Sequence, residues 1–350
     1  MRFAISDGVT RCAAFLGLFL IGCGPDFDPP SELHSLRVLA VQKDVPYAQP
    51  GQTVKLQMLW EDASVKKPRD VQIAWSPPCV DPPGDLYYAC FANSAAFGGM
   101  LTLDSDTTSF TVERTIISQR PPADTSNNAP YGITYVFFAA CAGKLDLAPP
   151  SSDPAAFPIV CKDANGVLLG ADDFVAGYTS VYSFKSFSNH NPLISGFRFN
   201  GQDLKASSYC LGADCLALDG SADPVDVDCD DPEQSGLCVP TCADDGDPKC
   251  HGYGFHPIID KTDPANQDED DVSAKQLGRH VGEQMWVDYY TDAGGFKSPV
   301  RLLNDATTGW NDDFGTEFYA PKEPGLSRIW AVAHDNRGGT AWAGITLKVQ

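Results

Sequence analysis

The stretch SRIWAVAHDNRGGTAWAGITLKV, Ser327–Val349, decides the fold. It contains two runs of alternating side chains, which flank the glycine-rich segment Asp335–Gly339. A period of two places successive side chains on opposite faces of a strand, and a glycine-rich turn allows two such strands to fold back on each other. We therefore expect an antiparallel hairpin that directs Ile345, Leu347 and Val349 into a core.

The same period of two recurs upstream of this hairpin. In QTVKLQMLW, the side chains of Val54, Leu56, Met58 and Trp60 alternate with polar residues, and VQIAWSPP repeats the pattern until two prolines end it. Further candidate strands are SLRVLAVQKD, SFTVERTI, YGITYVFFAACA, YTSVYSFKSF, ISGFRFNG and EQMWVDYYTD. Short strands separated by turn signals predict an all-β fold of antiparallel sandwiches.

The segment SNHNPLISG separates two predicted β-sandwich domains, residues 33–189 and residues 190–350. The strand order of the first domain resembles that of bacterial immunoglobulin-like domains, and Trp75 on its third strand fits that pattern. The terminal hairpin resembles the last two strands of an immunoglobulin-like or PKD-like bacterial domain. These resemblances imply two immunoglobulin-like antiparallel sandwiches. The second sandwich is expected to carry a disulfide-rich acidic insert, residues 207–272.

The first residues of the chain have the features of an export signal. Arg2 and Arg11 precede a short apolar run, CAAFLGLFLIG, which is too short to span a bilayer. The run ends in LIGC, which resembles a bacterial lipobox and implies cleavage after Gly22. The resemblance implies that residues 1–22 are a lipoprotein signal peptide and that Cys23 is lipidated, for example with palmitate. Several acyl chains on one residue give stable membrane anchoring, and residues 23–32 would be a proline-rich tether.

The residue after the lipidated cysteine and the net charge bear on location and partners. Cys23 is followed by Gly24 rather than aspartate, which by analogy with sorting in enteric bacteria predicts the outer membrane of the cell envelope. Removal of residues 1–22 changes the formal net charge from −21 to −22. So acidic a chain repels nucleic acid. We therefore expect attachment to the membrane through Cys23 and no nucleic-acid partner.

The cysteines point to disulfides. The chain has 12 cysteines; Cys12 is removed with the signal and Cys23 is lipidated, which leaves an even number in an exported chain. We predict the pairs Cys79–Cys90, Cys141–Cys161 and Cys210–Cys215. Four further cysteines are expected to pair among themselves in an order that the sequence does not choose: Cys229, Cys238, Cys242 and Cys250. A zinc site of Cys238, Cys242, Cys250 and His251 has tolerable spacing, but thiolates persist poorly outside the cytoplasm.

The predicted insert is strongly acidic. Residues 219–272 contain sixteen acidic residues against Lys249 and Lys261. Asp226, Asp228 and Asp230 stand at alternate positions, and calcium takes six to eight oxygen ligands of this kind. The pattern is not that of an EF-hand, because Asp231 and Leu237 replace its glycine and glutamate. The alternatives are a calcium site and a solvated acidic loop held by disulfides.

The sequence contains no G-x-S-x-G, H-E-x-x-H, phosphate-binding or dinucleotide-binding motif. We therefore expect a protein that is not an enzyme, without a cofactor other than calcium. Its expected role is binding or scaffolding at the cell envelope, with an envelope protein or a glycan as ligand. The alternatives are calcium-dependent adhesion or glycan binding, and a secreted hydrolase. The lipobox, the strands and the terminal hairpin together resemble uncharacterised lipoproteins of predatory and social soil bacteria such as myxobacteria.

Overall fold

The computed structural model describes residues 29–67, 69–91, 102–103, 105–120, 129–149, 151–153, 155–205, 208–212, 215, 227–242, 250–267 and 269–350. Residues Ser31–Gln350 form one compact unit. Within the described ranges no helix has the length and apolar character required to cross a bilayer. The predicted signal peptide and Cys23 lie outside the described residues.

The strands before residue 190 form two facing sheets and a separate hairpin. One sheet has the order β1-β3-β7, and the facing sheet has the order β2-β11-β8-β4-β6, with β5 also paired to β8. The hairpin joins β9 to β10. The bounds are β1 Leu36–Lys43, β2 Tyr47–Ala48, β3 Thr53–Asp62, β4 Gln72–Trp75, β5 Cys79–Val80, β6 Thr102–Leu103, β7 Thr107–Thr111, β8 Gly132–Cys141, β9 Lys144–Leu147, β10 Ile159–Lys162 and β11 Phe174–Ser183.

The strands after residue 190 form two further sheets. One has the order β13-β12-β16-β21-β18, and the other has the order β14-β23-β22-β17-β19-β20, with β15 also paired to β23. One short helix, α1, precedes β17. The bounds are β12 Gly196–Phe199, β13 Gln202–Asp203, β14 Tyr209–Leu211, β15 Cys238–Val239, β16 Tyr253–Ile258, α1 Asp271–Leu277, β17 Met285–Thr291, β18 Gly295–Phe296, β19 Val300–Asp305, β20 Gly309–Trp310, β21 Thr316–Tyr319, β22 Gly325–Asp335 and β23 Thr340–Val349.

Both pairs of sheets follow one plan. In the first, the sheet of β1, β3 and β7 faces the sheet that contains β4, β8 and β11. An immunoglobulin sandwich distributes its strands in the same way, with the first, second and fifth strands in one sheet and the third, sixth and seventh in the other. In the second, β12, β16 and β21 face β17, β22 and β23 in the same way. Each sandwich adds one short parallel strand at its last strand, β2 beside β11 and β15 beside β23. The predicted all-β fold of immunoglobulin-like antiparallel sandwiches is confirmed, and the boundary between residues 189 and 190 stays a prediction.

Each sandwich has its own core. Trp75 on β4 is fully buried in the first core, where its ring meets Phe138 edge to face at 5.9 Å. The second core contains Ile345, Leu347 and Val349, as expected from the terminal hairpin. A tight turn follows β12, since Asn200 and Gly201 both have positive φ, 48° and 79°.

A third core joins the two sandwiches. Trp330, Val332 and Trp342 lie on the face of β22 and β23 opposite to the second core, and they pack against residues such as Leu39 and Leu59 of β1 and β3. The hairpin is therefore buried on both faces, which explains why nearly every position of β22 and β23 is apolar or small.

The predicted insert, residues 207–272, is too broad. Strand β16 pairs with both β12 and β21 inside the second sandwich, and its Phe255 is fully buried. Strands β14 and β15 pair with β23. The acidic residues that suggested an insertion flank these strands, whereas Tyr253 and Phe255 supply the inward face. Burial of these aromatic side chains therefore outweighs the acidic composition of the segment.

Candidate functional site

A cleft of about 630 Å³ lies between the two sandwiches, and we call it the aromatic cleft. Its volume is within the range of small-molecule sites. It is lined by Tyr47, Ala129, Tyr131, Ser180, Tyr182, Phe184, Val272, Gln276, Trp286, Asp335, Asn336, Arg337 and Gly338. Both sandwiches contribute aromatic side chains, so the cleft exists only where the two are assembled.

The wall from the first sandwich is a cluster of rings at the end of β11. Tyr182 is 37% exposed because strand alternation directs it outward, whereas its neighbour Val181 is buried in the first core. The Tyr182 ring lies 5.6 Å from Tyr131 and 6.5 Å from Phe184, with the latter pair nearly parallel at 17°. Tyr47 lies 4.7 Å from Phe184 behind them. The result is a rigid aromatic surface that remains open to solvent at Tyr182.

The opposite wall comes from β17, the turn after β22 and helix α1. Trp286 is half-buried and stacks on His334 with a centroid distance of 5.4 Å and an angle of 23°. The His334 Nε2 lies 3.3 Å from the carboxylate of Asp288, which fixes the ring beneath the indole. Helix α1 begins at the cap Asp270, whose carboxylate accepts from the Ser273 amide, and it presents Val272 to the cleft.

The charged groups at the base of the cleft are held by the protein itself. The Arg337 Nη2 lies 3.2 Å from Glu283 Oε1, and both side chains are 2% exposed. Asp335 accepts hydrogen bonds from the Arg337 and Gly339 amides and from Asn189 Nδ2. These bonds fix the Asp335–Gly339 turn, and they engage each of the three charged side chains within the protein.

Two guanidinium groups already occupy faces of the cleft aromatics. Arg120 lies 4.4 Å from the centroid of Tyr131, and Arg337 lies 5.6 Å from that of Tyr47. Arg120 also pairs with Asp85 at 2.7 Å, and the Tyr131 hydroxyl donates to the same carboxylate. Each ring is therefore already in contact with a cation at a distance at which the attraction to the π-system is significant.

Lys43 lies beneath the Asp335–Gly339 turn and is 6% exposed. Its Nζ donates to the Ser180 carbonyl at 3.3 Å. Burial lowers the pKa of Lys43 to about 8, although the nearby Asp335 acts in the opposite direction. The amine is therefore partly neutral just above physiological pH, and it lies below the cleft surface rather than in it.

Several polar groups at the cleft surface have no partner in the described part of the chain. They are the hydroxyls of Tyr47, Tyr182 and Ser180 and the indole N–H of Trp286. Burial raises the pKa of Tyr47 and of Tyr182, so both hydroxyls stay protonated at neutral pH. Hydroxyls both donate and accept, so the cleft combines ring faces with hydrogen-bonding groups that are free for a ligand.

The cysteines form disulfides, as predicted. The structure joins Cys79 to Cys90, Cys141 to Cys161 and Cys210 to Cys215, with Cα–Cα distances of 6.0, 5.6 and 5.1 Å. The four cysteines whose order was open join as Cys229–Cys238 and Cys242–Cys250, at 5.9 and 4.9 Å. All five distances suit a disulfide. Since Cys238, Cys242 and Cys250 are bonded in this way, they are not available as zinc-binding thiolates.

The acidic residues proposed as calcium ligands are not all described. Asp226 lies outside the described residues. Asp228 accepts from the Asp230 amide at 3.0 Å, and Asp231 accepts from the Glu233 amide at 2.9 Å, so both carboxylates stabilise turns of the backbone. Among the residues whose placement is described, no group of three or more acidic, histidine or cysteine side chains is arranged to hold a metal ion. Calcium binding stays a prediction.

No protein-family model matches the chain. No curated protein matches it either. Among solved structures, the fibronectin(III)-like modules of Clostridium thermocellum CbhA are similar at a TM-score of 0.19 and 9% identity, over 89% of this chain and 93% of that chain. Three N-terminal domains of the bacteriophage RB49 highly immunogenic outer capsid protein (Hoc) give 0.19 and 9%, over 90% and 70%. Scores this low carry no argument, so the fold rests on the strand pairing described above.

The aromatic cleft was not found from the sequence. Tyr182 and Trp286 belong to the predicted strands YTSVYSFKSF and EQMWVDYYTD, but the strand pattern does not predict a cleft. The available signal was that their outward positions are aromatic, where a solvated strand face usually carries polar residues. This signal indicates that each strand has an aromatic outward face. It does not indicate that the two faces form one cleft, because they belong to different sandwiches.

Proposed function

We propose that the protein is a lipid-anchored protein of the cell envelope with a non-catalytic binding role, and that it binds its ligand in the aromatic cleft. The observation that supports this most strongly is the presence, in one cleft, of exposed ring surface and of hydroxyl and indole groups that have no partner among the described residues. Sites for small ligands combine an apolar lining with a few placed polar groups in this way. The charged groups of the cleft are engaged in structural contacts, which favours binding over chemistry.

The anchoring part of the proposal rests on the sequence. The lipobox-like LIGC supports cleavage after Gly22 and lipidation of Cys23, and Gly24 supports transfer to the outer membrane. The proline-rich sequence that follows Cys23 supports a short tether. The tether is shorter than residues 23–32, because the Ser31 carbonyl accepts from the Thr291 amide at 2.9 Å and Leu33 is 1% exposed. In this arrangement the lipid holds the chain at a membrane surface, and the cleft is free to meet an envelope protein or a glycan.

The binding proposal is tested with two variants of the whole protein. The double variant Tyr182→Ala/Trp286→Ala removes one ring from each wall of the cleft, and the control Tyr319→Ala removes a ring from a different cleft, lined by Glu32 and Lys322. Each protein also carries Cys23→Ala, so that the lipid does not itself hold it to the membrane, and is mixed with the envelope fraction of the producing cells and sedimented. We expect the wild type and the control to bind alike and the double variant to bind at least about tenfold more weakly. Equal binding by all three proteins would overturn the proposal.

A further inference from the structure

We infer that the ligand of the aromatic cleft is a neutral carbohydrate chain, whose sugar rings stack on Tyr182 and Trp286. The inference rests on the proposed function, since it names the ligand class of the same site. Sugar rings present an apolar face of C–H groups and a rim of hydroxyls. The cleft has aromatic ring faces that can contact the C–H groups and hydroxyls that can form hydrogen bonds with the rim.

The charges around the cleft disfavour ionic ligands. A cationic ligand would meet Arg337, which already lies 5.6 Å from the ring of Tyr47, and the lining carboxylate of Asp335 already accepts hydrogen bonds from the protein. A polyanionic ligand would approach a chain whose formal net charge changes from −21 to −22 when residues 1–22 are removed. An aromatic site that disfavours both charges is suited to a neutral ligand.

The unpartnered polar groups distinguish a sugar from a proline-rich peptide. Within the described chain, the hydroxyls of Tyr47, Tyr182 and Ser180 have no hydrogen bond, and each can both donate and accept. Sugar hydroxyls also donate and accept, so they satisfy both capacities. A proline offers a carbonyl acceptor and no N–H donor, so a proline-rich segment would use only the donor capacity of these groups.

The two ring platforms lie on separate sandwiches. Tyr182 is 37% exposed, and its ring is braced from behind by Phe184. Trp286 is braced by His334, which is fixed by Asp288. Both platforms are therefore ordered before a ligand arrives, which lowers the entropic cost of binding. Both rings line the same cleft of about 630 Å³.

The test uses the whole protein and three neutral oligosaccharides as probes: cellotetraose, maltotetraose and chitotetraose. Binding is followed by tryptophan fluorescence and by titration calorimetry up to millimolar concentration. We expect saturable binding of at least one probe, with a fluorescence change that is absent in Trp286→Phe because the reporting indole is removed. Tyr182→Ala should weaken the binding at least about tenfold, Tyr182→Phe should weaken it less because the ring remains, and Tyr319→Ala should not change it.

The outcomes separate this inference from the proposed function. If no oligosaccharide binds, or if a proline-rich peptide binds in their place with the same dependence on Tyr182, the carbohydrate inference is wrong. The proposed function still stands in that case, provided that sedimentation with envelopes depends on the cleft. If the sedimentation does not depend on the cleft, the proposed function itself fails. Saturable binding that is equal in the wild type and Tyr182→Ala also overturns the inference, because the sugar then binds elsewhere.

Discussion

Arg328 on β22 donates through Nη2 to the Oε1 of Glu61 on β3, so a buried ion pair joins the two sandwiches directly. The Arg328 side chain is 10% exposed and that of Glu61 is 2% exposed. Arg328 also donates through Nε to Asp292 at 3.0 Å, and Lys67 lies 3.8 Å from Glu61. Two carboxylates and two cations therefore meet at the junction beside the core of Trp330 and Trp342. Because Arg328, Glu61 and Asp292 are buried among partners, loss of one of these three leaves the others uncompensated, whereas Lys67 is 38% exposed.

The first prediction concerns the pH dependence of this junction. Burial raises the pKa of Glu61 to about 7, against the opposing effect of Arg328. The unfolded chain releases this proton near its usual value of 4.5, whereas the folded chain retains it until about pH 7. Between these values the folded state binds more protons, so the contribution of Glu61 to stability falls as the pH rises and then levels off. The total change is at most about 3 kcal/mol.

Glu61→Gln is the matched variant for this test, because it keeps the shape and removes the titration. Thermal or denaturant unfolding of both proteins is measured over the interval from pH 4.5 to about pH 7 and at higher pH. We expect the variant to gain stability relative to the wild type over this interval and the difference to be constant above it. A difference that is independent of pH would contradict the raised pKa.

The second prediction compares the two tryptophans of the junction. Trp330 and Trp342 are each 1% exposed in the same core. The Trp342 indole donates to the Gly212 carbonyl at 2.6 Å, whereas the Trp330 Nε1 is buried without a hydrogen-bond partner among the described residues. Substitution by phenylalanine removes both N–H groups, so Trp342→Phe loses a bond and Trp330→Phe relieves an unsatisfied donor. We expect Trp342→Phe to be the less stable variant by about 1 kcal/mol in urea unfolding. Equal stabilities would be evidence against this account.

The third prediction concerns the turn of the terminal hairpin. Gly338 has a φ of 88°, and a Cβ added there would lie 3.0 Å from Lys43 Nζ. Gly338→Ala therefore forces a left-handed conformation on an alanine beside a buried lysine, at an expected cost of about 1–3 kcal/mol. Gly166→Ala is the control, since Gly166 also has a positive φ of 82° but nothing within 4 Å of the added Cβ. Thermal unfolding should show a larger loss for Gly338→Ala, and a loss no larger than that of the control would exclude the lysine contact as a cause.

The fourth prediction concerns the order in which the disulfides are reduced. Cys141 and Cys161 are 0% and 1% exposed, whereas Cys229 and Cys238 are only half-buried. Since thiol–disulfide exchange requires access to the sulfur, Cys229–Cys238 should be reduced before Cys141–Cys161 in the folded protein. Limited reduction, alkylation and mass spectrometry give the order. Loss of Cys141–Cys161, which closes a separation of 20 residues, should cost about 3 kcal/mol. Earlier reduction of the buried bond would show that the native state opens locally.

The fifth prediction concerns the anchor. Cys23→Ala should abolish metabolic labelling with a palmitate analogue and release the chain from membranes, since the lipid is expected on that sulfur and amine. Cys12→Ala is the matched control, because Cys12 lies within the predicted signal and is removed with it. It should be labelled like the wild type. Labelling that survives in Cys23→Ala would place the lipid elsewhere or show that the chain is not a lipoprotein.

The local alternation of apolar and polar residues was sufficient to predict most strands. Alternation predicted the hairpin of β22 and β23, the burial of Ile345 and the strand that contains Trp75, because strand faces differ in solvation wherever one side is buried. It failed at β16, where YGFHPI combines a glycine, a histidine and a proline inside an acidic region. The acidic composition of the region therefore prevented the prediction of this strand, whose alternate residues Tyr253 and Phe255 are buried in the second core.

Contacts between the sandwiches could not be predicted from the sequence, for a different reason. Glu61 and Arg328 are 267 residues apart, so no local pattern relates them. Apolar residues occupy both alternating sets of positions on β22 and β23, which is typical of strands that are covered on both faces. This pattern does not identify the residues that cover them. The same limit applies to the aromatic cleft, since Tyr182 and Trp286 line one cleft only when the two sandwiches pack together.

The pairing of β23 has a consequence for the order of synthesis. This strand pairs with β22, β14 and β15, and its Trp342 enters the junction with the first sandwich. A chain that grows from its amino end therefore lacks the partner strand of β14, β15 and β22, and the Trp342 ring of the joining core, until residues 340–349 have been made. Such long-range pairing delays folding relative to synthesis. The first sandwich has a core of its own, so completion of the second sandwich and of the junction is the late event.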